Sequence, residues 1–592
     1  MPNLEGAAPK PGVFGAVRNS RLPAPFVSFS ERVLSLDRLR EIYQRARIFG
    51  DRSIHDSLLE QLDVRIEIAP EDLARIPTSG PVVIAANHPF GMLEGPVLGS
   101  LLPRIRPDVK VVTNYLLAEM PELRDLCIFV DPFGGKEAAA ANLKALKAAI
   151  QWLKSGGMLV MFPSGAVSHW HPQWGGVADP AWNPTVARLI RMSGASAVPL
   201  FFDGHNSIPF QVLGLIHPKL RTAALPSQFL NKRGRTVELR VGRAIPHSTL
   251  AALDDDAAIT NYLRGRVYLL AARNRQRHEA PPRTPHPVRS GPLRETLAEE
   301  IAALPEHCRL DRARDLTVYA ARAAEAPRVL DEIGRLREIT FRRAGEGTGR
   351  ETDLDWFDGH YLHLFVWNHE REEIVGAYRL GETREILSRH GLRGLYSSTL
   401  FDFDERLFHA TGPALELGRS FVRPEYQRQF SPLLMLWRGI GRYVASRPDA
   451  PVLFGPVSIS NGYHPMSRQL MVRFLETQAA TTPYAALVRP KRPFRTSPVR
   501  AWDGEMFSRV FRDLEELAEP IADIEGVEKG VPVLLRQYIR LGGKVLAFSV
   551  DPHFSNALDG LILVDLRETD RAVLDRHMGR EAASRFLATH GR

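Results

Sequence analysis

Two side chains capable of proton transfer lie six positions apart in the stretch NHPFGMLEG, residues 87–95. His88 follows a strand-like apolar run and precedes Pro89, whose ring disfavours helical backbone at the residue before it. A glycine at position 91 permits a tight turn through which Glu94 could reach the imidazole. A carboxylate bound to one ring nitrogen fixes the tautomer, and the other nitrogen can then take a proton from an alcohol. The spacing predicts a base for acyl transfer to a hydroxyl group or, in the simpler interpretation, a loop that merely holds these two residues.

Two further blocks downstream favour the catalytic interpretation. A turn, FPSG at residues 162–165, ends another apolar run, and the dipeptide VP at 198–199 begins a third. In this order the blocks resemble the lysophosphatidic-acid acyltransferase superfamily, and the resemblance covers residues 80–245. It implies that His88 is the catalytic base and that Glu94 orients it. It also implies a set of substrate-binding residues around them: Asn87, Gly91, Phe162, Pro163, Ser164 and Gly165.

Three departures from the superfamily pattern point away from a phosphate-bearing acceptor. The acid stands one position later than is common, because Leu93 occupies the usual place. Ser164 replaces the glutamate of the usual Phe-Pro-Glu-Gly turn, and the run CIFVDPFGG lacks an expected arginine. In the superfamily these polar groups help to hold a phosphate, so we expect the acceptor hydroxyl to belong to a different lipid.

The second half of the chain indicates a different chemistry. The run LELGRSFVRPEY carries Glu416 and Arg419 on one predicted strand, and EIVGAYRL carries Arg379 on another. A strand with a carboxylate and an arginine, followed by a loop into a helix, is the arrangement of GNAT-type N-acyltransferases, in which an amine attacks a thioester. The amine must lose a proton, so an acid near the strand is a plausible base, directly or through water.

More closely, residues 325–570 resemble the N-acyltransferases that make lyso-ornithine lipid and, more distantly, acyl-homoserine-lactone synthases. The resemblance implies that acyl carrier protein donates the acyl group, that Glu416 is the base, and that Arg379 and Arg419 bind the carrier or the substrate anion. Common GNAT enzymes cradle the pyrophosphate of coenzyme A on a glycine-rich loop, whereas the matching run YQRQFSPLL contains no glycine. We therefore expect acyl carrier protein as the donor, and no metal or redox cofactor.

The secondary-structure elements that position these residues are predicted to form two different folds in tandem. Apolar β-like runs alternate with helices between residues 51 and 250, which predicts strands of one sheet joined by crossover helices. The predicted fold class is α/β, with a glycerolipid-acyltransferase-type α/β domain followed by a GNAT-like α+β domain. The predicted organisation is an N-terminal amphipathic helical segment 1–50, an O-acyltransferase domain 51–273, a Pro-rich basic linker 274–292 and an N-acyltransferase domain 293–592.

Two predicted helices carry an apolar stripe whose partner the sequence leaves open. Residues 26–49 and 136–157 both place apolar side chains near helical spacing, with charged residues between them. Each stripe could pack against the core of its own domain. Alternatively, either stripe could lie on a membrane surface, and the second could admit an acyl chain.

Composition indicates the surroundings in which these sites work. The chain has 592 residues, with 77 Lys and Arg against 68 Asp and Glu, and its two cysteines, Cys127 and Cys308, are too few for a disulfide framework. The sequence shows neither a secretory signal nor an apolar run long enough to cross a bilayer. A net charge of +9 suits an acidic carrier protein or an anionic membrane surface, and we find no nucleic-acid-binding motif. We expect a cytoplasmic protein, peripheral on the inner face of the cytoplasmic membrane.

The two resemblances together imply a bifunctional acyltransferase that makes an amino-acid lipid, ornithine lipid. The second domain would N-acylate ornithine with a 3-hydroxyacyl group from acyl carrier protein, and the first would acylate the 3-hydroxyl from an acyl thioester. The missing phosphate-binding residues fit this order, because the lipid acceptor carries no phosphate. Two alternatives stay open: a 1-acylglycerol-3-phosphate-type acyltransferase fused to a GNAT enzyme of separate purpose, and a non-catalytic, haemolysin-like protein of the membrane surface.

Overall fold

The structure is a computed structural model that describes residues 36–48, 53–131, 136–171, 176–216, 218–273, 286–429, 431–479, 482–496, 507, 509–526 and 529–591. The chain divides into two compact units. Among the described residues, the first unit comprises those up to 273 together with 507, 509–512 and 522–526, and the second comprises the rest. No helix within these ranges is both long and apolar enough to span a membrane.

The first unit is built around a mixed β-sheet. Its strands are β1 (Arg65–Ile68), β2 (Val82–Ala86), β3 (Val109–Asn114), β4 (Cys127–Val130), β5 (Met158–Met161), β8 (Ser196–Phe202) and β9 (Thr236–Val241), and a separate hairpin pairs β6 (His169–His171) with β7 (Gly176–Ala178). In the described residues the sheet order is β1-β9-β8-β2-β5-β3-β4, and neighbours are parallel except β8 and β9. The central strand β2 is buried along its whole length, as expected for an apolar run covered on both faces.

Helices cover both faces of this sheet. They are α1 (Leu36–Ile48), α2 (Ile54–Gln61), α3 (Pro70–Leu73), α4 (Glu94–Leu101), α5 (Lys136–Lys154), α6 (Thr185–Ser193), α7 (Ile208–Ile216), α8 (Pro218–Ala223), α9 (Leu225–Leu230), α10 (His247–Ala251) and α11 (Asp256–Leu269). Helix α5 packs on β4 and β5 and buries Leu153 and Ala149, whereas Leu143 on the same helix is exposed. Helix α1 buries Leu39 and Ala46 and contacts α2 and α9. Both predicted apolar stripes are therefore used, at least in part, as internal packing surfaces.

The second unit contains an eight-stranded sheet. Its strands are β10 (Arg309–Ala313), β11 (Leu316–Arg322), β12 (Leu362–Asn368), β13 (Glu373–Glu382), β15 (Ala414–Val422), β16 (Val452–Ile459), β18 (Lys544–Asp551) and β19 (Ala557–Asp565), and β14 (Phe401–Phe403) pairs separately with β17 (Val488–Pro490). Across the described residues the order is β10-β11-β12-β13-β15-β16-β19-β18. All neighbours are antiparallel except β15 and β16, which are parallel.

Two long helices cover opposite faces of the second sheet. The helices of this half of the chain are α12 (Arg294–Ala302), α13 (Pro327–Arg343), α14 (Thr383–His390), α15 (Arg406–Thr411), α16 (Ser431–Ser446), α17 (Pro465–Ala479), α18 (Ala518–Glu525), α19 (Val533–Arg540), α20 (Arg571–Met578) and α21 (Arg580–Thr589). Residues of α13 share a core cluster with Phe365, whereas Gly439 of α16 packs on the neighbouring Leu364. Because successive strand residues point to opposite faces, the two helices lie on the two sides of β12.

The α/β class predicted from the sequence is confirmed, with a largely parallel sheet in the first unit and a largely antiparallel sheet in the second. Strands β2, β3, β4, β5, β8 and β9 correspond to the apolar runs PVVIAAN, KVVTNYLL, CIFVD, GMLVMF, AVPLFF and TVELRVG, which predict strands between residues 51 and 250. Strand β1 and the β6–β7 hairpin were not predicted, because RIEI and HWH are too short and too polar to give an apolar run. The linker predicted at 274–292 and the helix start predicted at residue 26 fall largely outside the described residues.

Candidate active sites

The first candidate site lies at the carboxyl end of β2, in the middle of the sheet. Asn87 is buried there and is joined to β8 by two hydrogen bonds. Its Nδ2 donates to the Phe202 carbonyl (3.0 Å), and the Phe202 N–H donates to its Oδ1 (2.7 Å). These two bonds continue the hydrogen-bond pattern between the strands and fix the end of β2 against β8. The resemblance implies that Asn87 binds substrate. In the structure its amide makes this contact with the backbone of β8 and so holds the neighbouring His88 in place.

His88 is oriented by a buried carboxylate. Its Nδ1 lies 3.2 Å from Oε1 of Glu94, so Nε2, across the ring, faces away from the carboxylate. The same oxygen accepts the N–H groups of Phe90 (2.7 Å) and Gly91 (3.0 Å). Glu94 is the first residue of α4, where the helix dipole favours negative charge. Because the His88 side chain is 18% exposed while Glu94 is enclosed, the arrangement is that of a histidine base held by an internal acid.

The turn over Glu94 requires a glycine at position 91 for two reasons. Gly91 has φ of +90°, a backbone conformation that side chains rarely adopt. A Cβ atom at this position would also lie 2.6 Å from Leu225 Cδ2 and 2.7 Å from Val167 Cγ2. Gly91 was predicted to bind substrate, and these contacts show how it shapes the loop that carries the base.

The predicted turn at residues 162–165 follows β5 and lies beside the histidine. The Phe162 ring stacks on the His88 imidazole, with ring centroids 4.5 Å apart and planes inclined by 28°. Gly165 has φ of +61° and donates its N–H to the Phe162 carbonyl (3.0 Å), which closes the turn. The structure therefore brings Phe162 onto the base, where it limits the ring orientations that His88 can adopt.

The two middle residues of this turn make internal contacts. The Ser164 hydroxyl donates to the Ala166 carbonyl (2.7 Å), two residues further along the same turn. The Pro163 carbonyl accepts the N–H of Asn183 (2.9 Å) and so ties the turn to the segment before α6. Ser164 replaces the glutamate of the superfamily turn. Because its hydroxyl is bonded to the nearby backbone, it does not replace a charged side chain that helps to bind a headgroup.

A buried aspartate that no sequence motif marks also holds His88. Asp179 Oδ1 accepts the His88 N–H (3.1 Å) and the Ser168 hydroxyl (2.5 Å), and its Oδ2 accepts the indole N–H of Trp182 (2.9 Å). The Ser168 N–H in turn donates to the His88 carbonyl (2.8 Å), so both backbone groups of the histidine are fixed. Asp179 lies 91 positions from His88, and a separation of that size gives no spacing signal in a single sequence.

The electrostatics of the first site favour a charged histidine. Burial lowers the pKa of His88, but the carboxylates of Glu94 and Asp179 raise it by more, so that it lies above its ordinary value. Burial raises the pKa of Glu94, and the facing imidazole together with the N–H donors more than offsets this, leaving it lowered. These opposite shifts stabilise an imidazolium–carboxylate pair, which is the state that forms when His88 takes a proton from a substrate.

We expect Glu94→Gln to move the pH dependence of O-acylation to lower pH. A histidine base works when it is neutral, so activity rises with pH through the pKa of His88. Removing the carboxylate lowers that pKa, and the acidic limb of log(kcat/KM) should shift toward acid. The plateau should fall roughly 10²-fold, because the tautomer is no longer fixed. Glu67→Gln, at an exposed position on β1, is the control, and an unshifted limb in Glu94→Gln would contradict the assignment.

The second candidate site lies where β15 and β16 separate. These parallel strands pair over three positions, Ala414–Glu416 with Val452–Phe454, although β15 continues to Val422. Beyond the paired part, Arg419 has φ of +50°, a strained conformation for a residue with a side chain. A cavity of about 640 Å³ adjoins it, lined among others by Arg350, Asp355, Tyr396, Arg419, Asp551 and Phe554. An open edge between strands beside a cavity suits an extended chain such as an acyl thioester.

Glu416, the predicted base, is enclosed beneath this cavity. Its Oε1 accepts the Ser397 N–H (2.6 Å), and its Oε2 accepts the hydroxyl of Tyr361. The Tyr361 hydroxyl also accepts the N–H of Tyr396 (2.8 Å), a residue that lines the cavity. Burial raises the pKa of Glu416. A proton would have to reach this carboxylate through Tyr361, so the contacts favour Glu416 as the residue that positions the loop carrying Tyr396.

The structure brings Arg379 and Arg419 together through Asp355. Arg379 is fully enclosed and donates to Asp355 Oδ1 (2.7 Å), while Nη2 of Arg419 lies 3.6 Å from Asp355 Oδ2. Asp355 also caps the short helical turn at residues 356–359, in a reciprocal arrangement with Asp358. Of the two arginines, Arg419 lines the cavity, so it is the one placed to meet an anionic substrate group.

Three carboxylates that sequence analysis did not single out share one face of the second sheet. Asp559 on β19 faces Ser458 and Ser549 in register, and the Ser458 hydroxyl donates to Glu346 Oε2 (2.9 Å). Asp551, two residues beyond Ser549 on β18, points to the same face and lines the cavity. We call Glu346, Asp551 and Asp559 the carboxylate trio.

The carboxylate trio is electrostatically crowded. Burial raises the pKa of Asp559, and the neighbouring Asp551 and Glu346 raise it further. Burial also raises the pKa of Glu346, to about 7, although Ser458 and Arg419 partly oppose the shift. A raised pKa makes a carboxylate a stronger base, so Glu346 or Asp559 in its ionised form can accept a proton from an ammonium group. Glu346 is more than 200 residues from Asp551 and Asp559, which explains why no local motif predicted the trio.

Comparisons with known proteins match the two units to two kinds of acyltransferase. Residues 52–275 match the acyltransferase family, and residues 336–438 match the acetyltransferase (GNAT) domain family. The glycine N(alpha)-acyltransferase of Phocaeicola vulgatus is 30% identical over 268 residues, which are 42% of this chain and 80% of that enzyme. The lyso-glycine lipid O-acyltransferase of the same organism is 26% identical and aligns with 42% of this chain and 88% of its own.

A third relative is named for a different amino-acid substrate, ornithine. The L-ornithine N(alpha)-acyltransferase of Agrobacterium fabrum is 26% identical over 236 residues, which are 39% of this chain and 72% of that enzyme. N-acyltransferases and a lyso-lipid O-acyltransferase thus each match about two fifths of one chain. These similarities show an enzyme that transfers acyl groups, and they set aside the non-catalytic alternative.

Proposed function

We propose that this chain, which belongs to the family of the glycine N(alpha)-acyltransferase, is a bifunctional acyltransferase that makes ornithine lipid in two steps. The second unit transfers a 3-hydroxyacyl group to the α-amine of ornithine, and the first unit acylates the 3-hydroxyl of that product. The observation that carries the proposal is the presence of two separate acyl-transfer sites in one chain: a His88–Glu94 pair suited to an alcohol, and a cavity beside carboxylates suited to an amine.

The carboxylate trio supports ornithine as the amine substrate. Ornithine carries two ammonium groups, and glycine carries one. Asp551 presents a carboxylate to the cavity and can serve as the countercharge of the second ammonium group. One member of the trio can also take the proton that the α-ammonium must lose before its nitrogen attacks the thioester carbonyl. The thiol of the donor then leaves with a proton, and the amide bond is complete.

Acyl carrier protein is the donor that the charge around the cavity supports. The lining includes Arg350, Arg419, Lys491 and Arg492. Such a rim complements both the phosphate of a phosphopantetheine arm and the surface of an acidic carrier protein. Neither transfer requires a metal or redox cofactor, because each exchanges one acyl bond for another.

The second transfer uses the first unit. His88 Nε2 accepts the proton of the 3-hydroxyl as the oxygen attacks an acyl thioester, and Glu94 stabilises the resulting imidazolium. The proton then passes to the departing thiolate. The acceptor is a lipid with no phosphate, which agrees with Ser164 in place of an acidic turn residue. Because this acceptor and the final product are both lipids, we propose that the protein lies peripherally on the cytoplasmic face of the membrane.

Glycine is the second candidate substrate, and the similarity to glycine N(alpha)-acyltransferases favours it. The purified chain, supplied with 3-hydroxyacyl carrier protein and either amino acid, should form N-acyl-ornithine faster than N-acyl-glycine. Asp551→Asn should raise the KM for ornithine by about ten- to a hundredfold, the value of one hydrogen bond to a charged group, and should change the KM for glycine little.

Asparagine keeps the Asp551 acceptor for the His553 N–H (2.8 Å), so this variant should retain the local fold. Glu581→Gln, on the exposed face of α21, is a matched charge control and should behave as wild type. The ornithine assignment fails if glycine is the preferred acceptor, or if the KM for ornithine does not respond to Asp551→Asn. The proposed reaction fails if neither amino acid is acylated from carrier protein.

A further inference from the structure

Three apolar side chains are exposed together on the first unit, where the hairpin strand β6 meets helix α7. Ile208 is 75% exposed, Val212 is 50% exposed, and Trp170 is 38% exposed. Ile208 and Val212 are one helical turn apart, so they lie on the same side of α7. The Trp170 N–H donates to Oε1 of Gln211 (2.9 Å), which joins the strand to the helix. We call Trp170, Ile208 and Val212 the apolar patch.

The apolar patch is tied at both ends to the loop that carries the catalytic base. Ser168, two residues before Trp170, donates its N–H to the His88 carbonyl (2.8 Å). Asn206, two residues before Ile208, is buried and donates its side-chain amide to the Phe90 carbonyl (3.0 Å). A ligand that rests on the patch therefore lies near the loop that carries His88.

The segment around α7 is also uniformly basic. Residues 204–237 contain five Lys or Arg residues and no Asp or Glu, although acids make up 68 of the 592 residues of the chain. Arg233 and Arg235 are exposed, and Arg221 is partly buried. An exposed apolar patch combined with exposed positive charge on the same unit is the combination by which peripheral proteins bind anionic bilayers. A protein partner would typically require a larger patch with polar residues of both signs around it.

We propose that the apolar patch, together with the exposed Arg233 and Arg235, docks the first unit on an anionic bilayer, so that a lipid acceptor reaches His88 directly from the membrane. The proposal deepens the proposed function and rests on it for the identity of the acceptor. The acyl chain of the acceptor then stays among the lipids, and only its hydroxyl group needs to enter the site. The docking face differs from the stripe of α5, whose exposed Leu143 belongs to a helix that packs on β4 and β5.

The test is vesicle binding by the full chain without substrates. Wild-type protein should cosediment with vesicles of phosphatidylglycerol and phosphatidylethanolamine, bind vesicles of phosphatidylcholine less well, and lose binding as salt is raised. The double variant Ile208→Glu/Val212→Glu should bind the anionic vesicles about tenfold more weakly or worse, because two apolar anchors become charges that the bilayer repels. Leu143→Glu and Met192→Glu change equally exposed apolar residues of the same unit and should bind as wild type.

A second measurement separates docking from chemistry and from folding. On a short-chain, water-soluble N-acyl acceptor the double variant should keep wild-type O-acylation, and on a long-chain acceptor in vesicles it should lose at least as much activity as binding. Unchanged vesicle binding by the double variant, or a loss that Leu143→Glu reproduces, would overturn the docking proposal whatever the activities. If wild type shows the predicted binding pattern but acylates neither acceptor, docking is supported and the proposed reaction fails instead.

Discussion

Replacing His88 with alanine should lower O-acylation by 10²- to 10⁴-fold, roughly the contribution of a positioned general base. Three contacts hold this residue: Glu94 lies against Nδ1, Phe162 stacks on the ring, and Asp179 accepts the backbone N–H. Without the imidazole, the hydroxyl of the acceptor has no group to take its proton. The N-acylation site shares none of these residues, so the mono-acylated lipid should still form and should accumulate.

Lipid extracts of a host that expresses the chain provide the measurement. A host without aminolipids should gain a ninhydrin-positive, phosphorus-free diacylated lipid with wild type, and the mono-acylated form with His88→Ala. His205→Ala is the control, because His205 is an exposed histidine of the same unit and should not change the product. Continued formation of the diacylated lipid by His88→Ala would contradict the role of the histidine.

For the first site, the sequence predicted that Glu94 reaches His88, and it missed the residues that hold this pair in place. The order of three short blocks was enough to find His88, Glu94 and the turn at 162–165, because their spacing is local or characteristic of a known superfamily. The hydrogen bonds of Asn87 to Phe202 and of Asp179 to His88 span 115 and 91 positions. Such contacts depend on which strands become neighbours, and a single sequence does not contain that information.

For the second site, the sequence located the correct strand and left the accessibility of its residues undetermined. Glu416 and Arg419 both lie on β15, as predicted, yet Glu416 is enclosed and Arg419 reaches the cavity. The β-bulge between Ala377 and Arg379, together with the positive φ of Arg419, breaks the simple alternation of inward and outward side chains. The strict alternation of side chains along a strand therefore does not predict the direction in which Arg419 points.

The Pro-rich linker also gives no sign that residues beyond it belong to the first unit. The Pro-rich stretch at 274–292 predicts that everything after it belongs to the second domain. In the structure, residues 522–526 belong to the first unit, where Asp523 meets Arg266. Both side chains are fully buried, and Arg266 donates to Asp523 Oδ2 through Nη2 (2.7 Å) and Nε (3.2 Å). The Arg243 N–H donates to the other carboxylate oxygen (3.0 Å).

Asp523→Ala should therefore destabilise the first unit by about 3–5 kcal/mol, because it removes the buried carboxylate that faces the buried Arg266 guanidinium. Amide hydrogen exchange on β2 and α11 would measure the loss in that unit separately from the second one. The double variant Arg266→Met/Asp523→Asn removes both charges and keeps an acceptor for the Arg243 N–H, so it should recover most of the loss.

Asp254→Ala, at an exposed position of the same unit, should change exchange by less than about 0.5 kcal/mol. If Asp523→Ala were equally mild, the buried pair would not be what completes the unit. If the destabilisation is as large as expected, a truncated chain that ends at residue 292 should lose O-acylation even though His88, Glu94 and Asp179 are all present. The cause would be the missing partner of Arg266 rather than a missing catalytic group.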